Sequence, residues 1–323
     1  MARSRQAEHV ITASDVRAAA VRIAGRVRTT PLIVADREPG TPDAEVWFKL
    51  EHLQRTGSFK VRGAFNRVLA AAETGGLSAK GLVTASGGNA GLAAAHVAAH
   101  QAVPARVYVP ATAPAMKVAK LRALGAEVVG VGTKYADAYQ AAVRDVADSG
   151  ALFCHAYDQP EVCAGQGTLG HELLAQARGR FDTILLAVGG GGLMAGVAAA
   201  VEGKARVVGV EPAAIPTLHA ALAAGGPVDV EVAGVAADAL GASRLGSIAY
   251  AVATRTGVES VLVGEADIVA ARRQLWEQYR LVVEHGAAVP FAALLSGAYQ
   301  PREGERVAVV LCGANTDPTD LAH

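Results

Sequence analysis

Short runs of apolar, mostly β-branched residues alternate along the chain with alanine-rich segments. This alternation of strand-like and helix-like segments predicts an α/β protein. Most of the runs lack a polar residue at every second position, as is typical of strands that helices cover on both faces, so we predict a mainly parallel sheet. The predicted strands are residues 46–51, 81–86, 105–110, 126–132, 151–156, 183–189, 205–211 and 306–313.

The first predicted helix begins near residue 13. Thr12 can cap its N-terminus, and Asp15 follows three residues later, ahead of a series of spaced apolar residues. The sequence ThrThrProLeu at residues 29–32 should end this helix, because proline does not continue a helical hydrogen-bond pattern.

Composition narrows the functional classes. The chain has 323 residues, of which 51% are hydrophobic, enough for a large core. Lys plus Arg and Asp plus Glu both number 30, so there is no electrostatic reason to expect nucleic acid or a membrane as partner, and a small-molecule substrate is the better hypothesis. We expect a cytoplasmic protein, since no secretory signal or membrane-length apolar run is present. The three cysteines are too few for a disulfide framework, and no zinc motif occurs.

A lysine motif, SerPheLysValArgGlyAla, occupies residues 58–64 at the start of a predicted helix. The positive end of that helix and the nearby Arg62 should lower the pKa of Lys60, which favours the neutral amine that Schiff-base chemistry needs. A lysine in a first helical turn is usually solvated, however, so the motif alone leaves both interpretations open.

Three glycine-bearing motifs follow predicted strands. In residues 85–92, the freed amides and the side chain of Asn89 can bind a carboxylate, and in residues 188–193 four glycines can surround a phosphate. The second motif matches neither the dinucleotide fingerprint nor the triphosphate loop. LeuCysGlyAlaAsn at 311–315 ends the last strand. Since ligands gather at the carboxyl ends of parallel strands, we expect these motifs and Lys60 to surround one ligand.

With these motifs in this order, the chain resembles the serine/threonine dehydratase group of fold type II pyridoxal phosphate enzymes, which also contains serine racemase. GlyGlnGlyThr at 165–168 and ValGluPro at 210–212 add to the resemblance, which extends from residue 30 to residue 315. It implies a tryptophan synthase β-like α/β fold of two domains with mainly parallel sheets. The implied domains are a large cofactor-binding domain of residues 1–80 and 153–323 and a small mobile domain of residues 81–152.

The resemblance also implies roles for the cofactor-binding residues. Lys60 would hold pyridoxal 5'-phosphate covalently and later act as the general base. Phe59 would pack on the pyridine ring, Asn89 would bond the ring hydroxyl, and Cys312 would face the ring nitrogen. The phosphate would be bound by Gly189, Gly190, Gly191, Gly192 and Leu193.

A second implied set of residues binds the amino-acid substrate. Ser86 is both a candidate carboxylate ligand and a candidate catalytic residue, whereas Gly87 stands where the racemase places its second base. Tyr157 replaces a polar residue of the racemase, so the pocket near the β-carbon should be larger or more apolar. The set comprises Ser86, Gly87, Gly88, Asn89, Ala90, Tyr157 and Gly241.

The predicted reaction is therefore β-elimination, in which the β-hydroxyl of an L-β-hydroxy amino acid leaves as water and the released enamine is then hydrolysed to a 2-oxo acid and ammonia. Cys312 is neutral, which favours elimination over transamination. Threonine, serine and bulkier substrates such as phenylserine all remain open. Two alternatives are a racemase or β-replacement enzyme on the same scaffold, and, from another class, a nicotinamide-dependent oxidoreductase or a catalytically silent binding protein.

The resemblance further implies a cation held by Glu211, the Ile215 carbonyl and Thr217. With one carboxylate, this set suits a monovalent ion such as potassium better than a divalent one. We also expect a homodimer. Since the sequence ends at His323, shortly after the last predicted strand, no appended regulatory domain is expected.

Overall fold

The computed structural model describes residues 10–36, 44–178 and 181–321. The strands are β1 (Leu32–Val34), β2 (Glu45–Lys49), β3 (Leu82–Ala85), β4 (Ala105–Val109), β5 (Glu127–Gly130), β6 (Leu152–Phe153), β7 (Thr183–Ala187), β8 (Arg206–Pro212), β9 (Glu259–Val263) and β10 (Arg306–Val310).

The α-helices lie mainly between these strands. They are α1 (Ala13–Arg22), α2 (Lys60–Glu73), α3 (Asn89–His100), α4 (Ala115–Ala123), α5 (Tyr135–Ser149), α6 (Pro160–Gln176), α7 (Gly192–Val201), α8 (Thr217–Ala224), α9 (Ala237–Leu240), α10 (Ser247–Thr256), α11 (Glu265–Tyr279) and α12 (His285–Leu295). None of the described helices is long and apolar enough to cross a membrane.

The strands form two sheets. A six-stranded sheet has the order β1-β2-β10-β7-β8-β9, and a four-stranded sheet has the order β5-β4-β3-β6. Every pairing is parallel except that of β1 with β2. The predicted α/β class with mainly parallel sheets is confirmed, and the carboxyl ends of the parallel strands in each sheet point to one edge.

Two strands were not predicted, and both lie at the edges of the larger sheet. β1 has three residues, none fully buried, and β9 has one buried residue of five. A partly exposed edge strand carries neither the continuous apolar run of a buried strand nor a clear alternation. Each of the eight predicted runs overlaps an observed strand.

The first helix is confirmed, but it is shorter than its apolar series suggested. The backbone amide of Thr12 donates to the Asp15 carboxylate over 2.8 Å, as the predicted capping box requires. The helix ends at Arg22, five residues before Val27, because the chain turns at Ile23 and reaches a left-handed conformation at Gly25.

GlyGlnGlyThr lies in the middle of α6 and lets neighbouring helices approach closely. A Cβ atom on Gly167 would lie 2.4 Å from the carbonyl oxygen of Gly196 in α7, and one on Gly165 would lie 2.6 Å from the carbonyl oxygen of Arg62 in α2. Both distances are too short for a side chain. These glycines therefore bring α2 and α7, which begin at Lys60 and at the glycine motif, against the same helix.

A buried ionic cluster fixes α2 to the strand before it. The guanidinium of Arg62 donates to Glu51 over 3.0 Å and to Glu172 over 2.9 Å. Lys49 is fully buried beside the same carboxylates, and its ammonium donates to the Thr30 carbonyl over 2.8 Å. Removing one partner would leave a buried charge unpaired, which costs several kcal/mol, so the cluster holds the first turn of α2 in place.

Candidate active site

Lys60 lies where α2 begins, beside the carboxyl ends of the central strands. Its ammonium donates to the Ala156 carbonyl over 2.7 Å and lies 5.0 Å from the centroid of the Phe59 ring. Burial lowers the pKa of Lys60 to about 8, although Cys312 and Glu284 nearby oppose this effect. A larger fraction of Lys60 than of an ordinary lysine is therefore neutral near physiological pH, and the neutral amine is the nucleophilic form.

The lowered pKa does not come from Arg62, contrary to the expectation from the sequence. Burial is its largest cause, and Arg62 is absent from the groups that affect Lys60 most. The guanidinium is paired with Glu51 and Glu172 in the buried ionic cluster, which balances its charge. Spacing along the helix could not reveal these partners, because they come from other elements.

The glycine loop, residues 188–193, connects β7 to α7, and two of its carbonyls are held by neighbouring elements. The carbonyl of Gly189 accepts from the Thr217 hydroxyl over 2.6 Å, and that of Gly190 accepts from the Gly246 amide over 3.1 Å. Within the described residues, the amides of Gly190 and Gly191 donate no backbone hydrogen bond, and residues 192 and 193 lie in the first turn of α7, whose amides have no acceptor within the helix. These amides, together with the start of α7, form the arrangement that binds phosphate groups in proteins.

Asn89 begins α3, and both the nitrogen and the oxygen of its side-chain amide form hydrogen bonds. Its amide nitrogen donates to Glu284 over 2.8 Å, and its oxygen accepts from Asn315 over 2.6 Å. Asn315 in turn donates to the Thr56 carbonyl over 2.8 Å. One hydrogen of the Asn89 amide remains available to a ligand, in an orientation that its neighbours fix.

Glu284 is a site residue that the sequence analysis missed. It immediately precedes α12, is buried, and lies beside Asn89 and Lys60 in one cavity. Burial raises the pKa of Glu284 to about 7, while the bond from Asn89 opposes this rise. A glutamate before a helix is common in any sequence, so the residue type and its position gave no signal of this role.

All three cysteines lie near Lys60. Cys312 follows β10 in the cavity wall, and Cys154 and Cys163 approach from the segments around α6. Burial raises the pKa of Cys154 to about 11 and that of Cys163 to about 12, and it also raises the pKa of Cys312. The thiols are therefore protonated, and Cys312 presents a neutral group, as its predicted place at a ring nitrogen requires.

The cavity beside Lys60 collects all of the predicted cofactor ligands. Tyr157 lies over the glycine loop, since a Cβ atom on Gly190 would come within 2.3 Å of its ring. The predicted residues in the cavity wall are Phe59, Lys60, Asn89, Tyr157, Gly189, Gly190, Gly191, Gly192, Leu193 and Cys312.

The remaining predicted substrate residues lie around or behind this cavity. Gly87 and Gly88 line an adjoining cleft together with Asn89, and the Ser86 hydroxyl accepts from the Gly88 amide over 3.3 Å. Ala90 is the second residue of α3. Gly241 follows α9, next to Leu240, whose backbone packs against Gly189, so Gly241 does not line either cavity.

An ion pair lies in the wall of the adjoining cleft. Lys117 on α4 bonds to Asp238 on α9, and both line the cleft with Gly88. α4 packs with the four-stranded sheet and α9 packs with α12 of the larger one. The pair therefore joins a helix of the four-stranded sheet to a helix of the larger sheet, in the cleft beside the Lys60 cavity.

The three residues predicted to bind a cation lie together behind the glycine loop. The Glu211 carboxylate accepts from the amides of Leu218 and His219 over 2.6 and 2.9 Å, and from the Ser260 hydroxyl over 3.2 Å. The Ile215 carbonyl accepts from the Thr217 amide over 3.1 Å. Among the described residues there is no group of three or more acidic, histidine or cysteine side chains that could hold a metal ion.

The donors and acceptors of the cavity fit pyridoxal phosphate. The cavity is lined by the backbone amides of the glycine loop, by the Lys60 amine with its lowered pKa, and by the neutral thiol of Cys312. The Asn89 amide has a hydrogen free for a phenolic oxygen. The cofactor needs an amine for its aldehyde, anion-binding amides for its phosphate and polar groups around its ring, and the described residues offer all three.

Comparisons with known proteins agree with this geometry. A family model described as "Pyridoxal-phosphate dependent enzyme" matches residues 23–313. An L-threonine ammonia-lyase from Geobacter sulfurreducens is 40% identical over 299 residues, which cover 92% of this chain and 73% of that protein. A phenylserine dehydratase from Ralstonia pickettii is 38% identical over 92% of this chain and 91% of its own length. The crystal structure of a threonine deaminase from T.th. superposes with a TM-score of 0.87 at 37% identity, covering 95% of this chain and 99% of that one.

Proposed function

Because the chain belongs to the family of pyridoxal-phosphate dependent enzymes, we propose that it is an ammonia-lyase that eliminates water from an L-β-hydroxy amino acid. The products are a 2-oxo acid and ammonia, and threonine and serine are the proposed substrate types. The observation that carries the proposal is the partly buried Lys60, whose pKa burial lowers to about 8, beside a loop of unpaired amides. The relatives that act on threonine and phenylserine support the same reaction class.

The predicted cofactor ligands in the cavity each have a proposed part in holding the cofactor. The amides of Gly190 to Leu193 would bind the phosphate, Asn89 would bond the ring hydroxyl, and Lys60 would hold the aldehyde carbon. When bound, pyridoxal phosphate supplies an electron-withdrawing system that makes the α-proton of an amino acid acidic. Cys312 is kept neutral by burial and offers no charge to hold a proton on the ring nitrogen.

Lys60 is the proposed general base. As a free amine, Lys60 would accept the α-proton of the substrate at its Nζ atom, and its lowered pKa places it in the range where a base is effective. Ser86 and the amides near Gly88 would hold the substrate carboxylate. Gly87 has no side chain to act as a base on the face opposite Lys60, which favours elimination over racemisation.

Tyr157 is the proposed determinant of substrate size. Its ring lies over Gly190, and burial raises the pKa of its hydroxyl, so the group stays neutral. An aromatic wall here suits an apolar β-substituent better than a charged one. The similarity to the phenylserine dehydratase extends the candidates from threonine and serine to aromatic β-hydroxy amino acids.

The proposed function is tested by purifying the protein with pyridoxal phosphate and measuring visible absorbance, borohydride sensitivity and 2-oxo acid release. We expect a cofactor band that borohydride abolishes, and turnover of L-threonine, L-serine or L-phenylserine with equal amounts of 2-oxo acid and ammonia. A colourless protein, or a band that survives borohydride, would contradict covalent attachment. Turnover of an amino acid without ammonia release would contradict the lyase.

The domain division is also proposed. The strands of the four-stranded sheet all lie between Leu82 and Phe153, which supports a small domain of residues 81–152 that closes over the substrate. The Lys117–Asp238 ion pair is then a contact between the two domains. A homodimer and a cytoplasmic location remain predictions.

A monovalent cation such as potassium is proposed at Glu211. The Thr217 hydroxyl contacts two acceptors, the Gly189 carbonyl at 2.6 Å and Glu211 at 3.0 Å, but it has one hydrogen. The second contact is favourable when Glu211 carries a proton or a cation lies beside it. Burial raises the pKa of Glu211, and a single carboxylate suits a singly charged ion.

The cation proposal predicts that K⁺ raises thermal stability and activity more than Na⁺ or Mg²⁺ does. An ion that binds only the folded state stabilises it by about 1.4 kcal/mol at ten times its Kd. Melting temperatures measured in matched concentrations of the three chlorides provide the test. The same melting temperature in all three salts would remove the support for a bound cation.

A further inference from the structure

The Thr217 side chain is fully buried behind the glycine loop. It begins α8, and its hydroxyl lies 2.6 Å from the carbonyl oxygen of Gly189, the first glycine of the loop. A hydrogen bond in so enclosed a position is directional, and its loss leaves a carbonyl without a partner. The bond is thus a link between α8 and the start of the loop.

This bond sets the direction of an amide on the other side of the loop. The Gly189 carbonyl and the Gly190 amide belong to one planar peptide group, which is trans because the described chain has no cis peptide bonds. In a trans peptide, the C=O and N–H bonds point in opposite directions. Holding the carbonyl towards Thr217 therefore turns the Gly190 amide away from α8. The Gly190 carbonyl, bonded to Gly246, sets the Gly191 amide in the same way.

Thr217 is itself held in place by Glu211. The Glu211 carboxylate caps α8 through the amides of Leu218 and His219 and lies 3.0 Å from the Thr217 hydroxyl. Glu211 is fully buried at the end of β8. The start of α8, and with it the position of the hydroxyl, is thereby fixed to the central sheet.

From this geometry we infer that Thr217 is a positioning residue for the glycine loop, whose hydroxyl pre-orients the loop amides for the cofactor phosphate. The inference rests on the proposed function, because it assumes that the loop binds this phosphate. Thr217 would not touch the cofactor. It would lower the cost of binding, because the loop need not reorganise when the phosphate arrives.

The test compares two ligands that differ in the phosphate alone. Thr217→Val removes the hydroxyl at nearly constant shape, and dissociation constants are measured by absorbance for pyridoxal phosphate and for pyridoxal, which has no phosphate. We expect Thr217→Val to weaken pyridoxal phosphate about tenfold, the effect of one buried hydrogen bond. Pyridoxal binding should change less than about twofold, since the hydrogen bond acts through the phosphate loop. Thr217→Ser, which keeps the hydroxyl, should restore pyridoxal phosphate affinity.

Thr183→Val is the matched control. Thr183 is also fully buried, and its hydroxyl also contacts a buried glutamate, Glu305, but it lies at the opposite end of β7 from the loop. Thr183→Val should lower the stability of the folded protein but should leave its preference for pyridoxal phosphate over pyridoxal unchanged. If Thr217→Val does not fold, Thr217→Ala removes the same hydroxyl with a smaller side chain and serves in its place.

The outcomes separate this inference from the proposed function. If the wild-type protein binds no pyridoxal phosphate, both are overturned. If the wild type binds the cofactor and releases 2-oxo acid, but Thr217→Val retains wild-type affinity or weakens both ligands equally, the inference alone is overturned. Equal loss of phosphate preference in Thr183→Val would likewise show that Thr217 acts through general stability.

Discussion

In the proposed mechanism Lys60 has two roles, since it would bond the cofactor and would then act as a base. Both need a neutral amine, and burial lowers the pKa of Lys60 to about 8. We expect Lys60→Ala to lower kcat at least about a thousandfold, because it removes the anchor and the base together. Release of 2-oxo acid by the purified variant provides the measurement.

Lys60→Arg is the control for this prediction. It keeps a positive charge at the same place, but arginine stays protonated and cannot bond an aldehyde. We expect the same loss of activity with an unchanged melting temperature within a few degrees. Substantial activity in either variant would show that the covalent attachment site lies elsewhere.

The raised pKa of Glu284 predicts that the stability of the folded protein depends on pH. Its pKa is about 7 in the folded protein and about 4.5 for an ordinary glutamate, so folding favours the protonated form. The contribution of Glu284 to the stability of the folded protein is therefore complete below pH 4.5, and it is lost as the pH rises towards 7 and above. For a shift of this size the loss is on the order of 3 kcal/mol.

Glu284→Gln should remove this dependence, because glutamine stays neutral and can still accept from Asn89. Urea unfolding of the cofactor-free wild type and variant at pH 5 and pH 8 measures it. We expect the variant to gain stability relative to the wild type at pH 8. A stability difference that does not change with pH would mean that Glu284 does not titrate in this range.

Among individual residues, the sequence analysis identified those in local motifs. Lys60, Asn89 and Cys312 stand in recognisable runs at strand or helix ends, and the structure brings them to one cavity. Glu284 and Arg62 depend on partners that are distant in the sequence, and a local motif does not contain this information. The role of Glu284 depends on Asn89, which lies 195 positions away in the sequence, and the charge of Arg62 is balanced by Glu51 and Glu172.

At the scale of elements, the loop of residues 86–88 between β3 and α3 is the proposed determinant of the reaction that the site favours. In the proposed mechanism a second base would be needed at residue 87, and a Cβ atom on Gly87 would lie 3.4 Å from the nearest Val109 methyl, an ordinary contact. A serine is therefore accommodated. We expect Gly87→Ser to raise the ratio of D-amino acid to 2-oxo acid several-fold from a low starting level, because a hydroxyl would be present opposite Lys60.

Chiral chromatography of a serine reaction gives this ratio for the wild type and the variant. Gly87→Ala is the matched control, since it adds a side chain without a hydroxyl. Abundant D-amino acid from the wild type would contradict the single-base mechanism and would point to Ser86. A Gly87→Ser variant with the wild-type ratio would show that residue 87 does not face the substrate.

Strands could be predicted from the sequence where burial of successive residues gives a continuous apolar run. The central strands β7, β8 and β10 have buried, mostly apolar residues that the sequence displays directly. β1 and β9 lie at the edges, where exposure breaks the pattern. The end of α1 was misjudged, because an apolar series does not show where the backbone turns at Gly25.

At the scale of the whole molecule, the ion pair between Lys117 and Asp238 joins helices of the two sheets in the cleft beside the Lys60 cavity. Both side chains are partly exposed, at 31% and 63%, so the pair contributes about 0.2–1 kcal/mol. If the small domain closes over the substrate, weakening this contact shifts the equilibrium towards the open form. We expect Asp238→Asn to raise KM by about two- to fivefold, with a smaller change in kcat.

Steady-state kinetics with L-threonine or L-serine measure this effect. Glu259→Gln is the control, because it removes a similarly exposed ion pair with Arg206 that joins two strands of the same sheet. The control should leave KM unchanged. A KM for Asp238→Asn equal to that of the wild type would argue against closure through this contact.

The clustering of all three cysteines around Lys60 has a consequence for chemical selectivity. Thiolates and amines compete for an aldehyde, and the group with the larger reactive fraction has the advantage. At pH 7, a pKa of about 8 leaves about one Lys60 amine in ten neutral, whereas a pKa of about 11 leaves about one Cys154 thiol in ten thousand ionised. The burial that activates the lysine therefore suppresses the three neighbouring thiols, so an aldehyde entering this cavity meets one reactive nucleophile among these four groups.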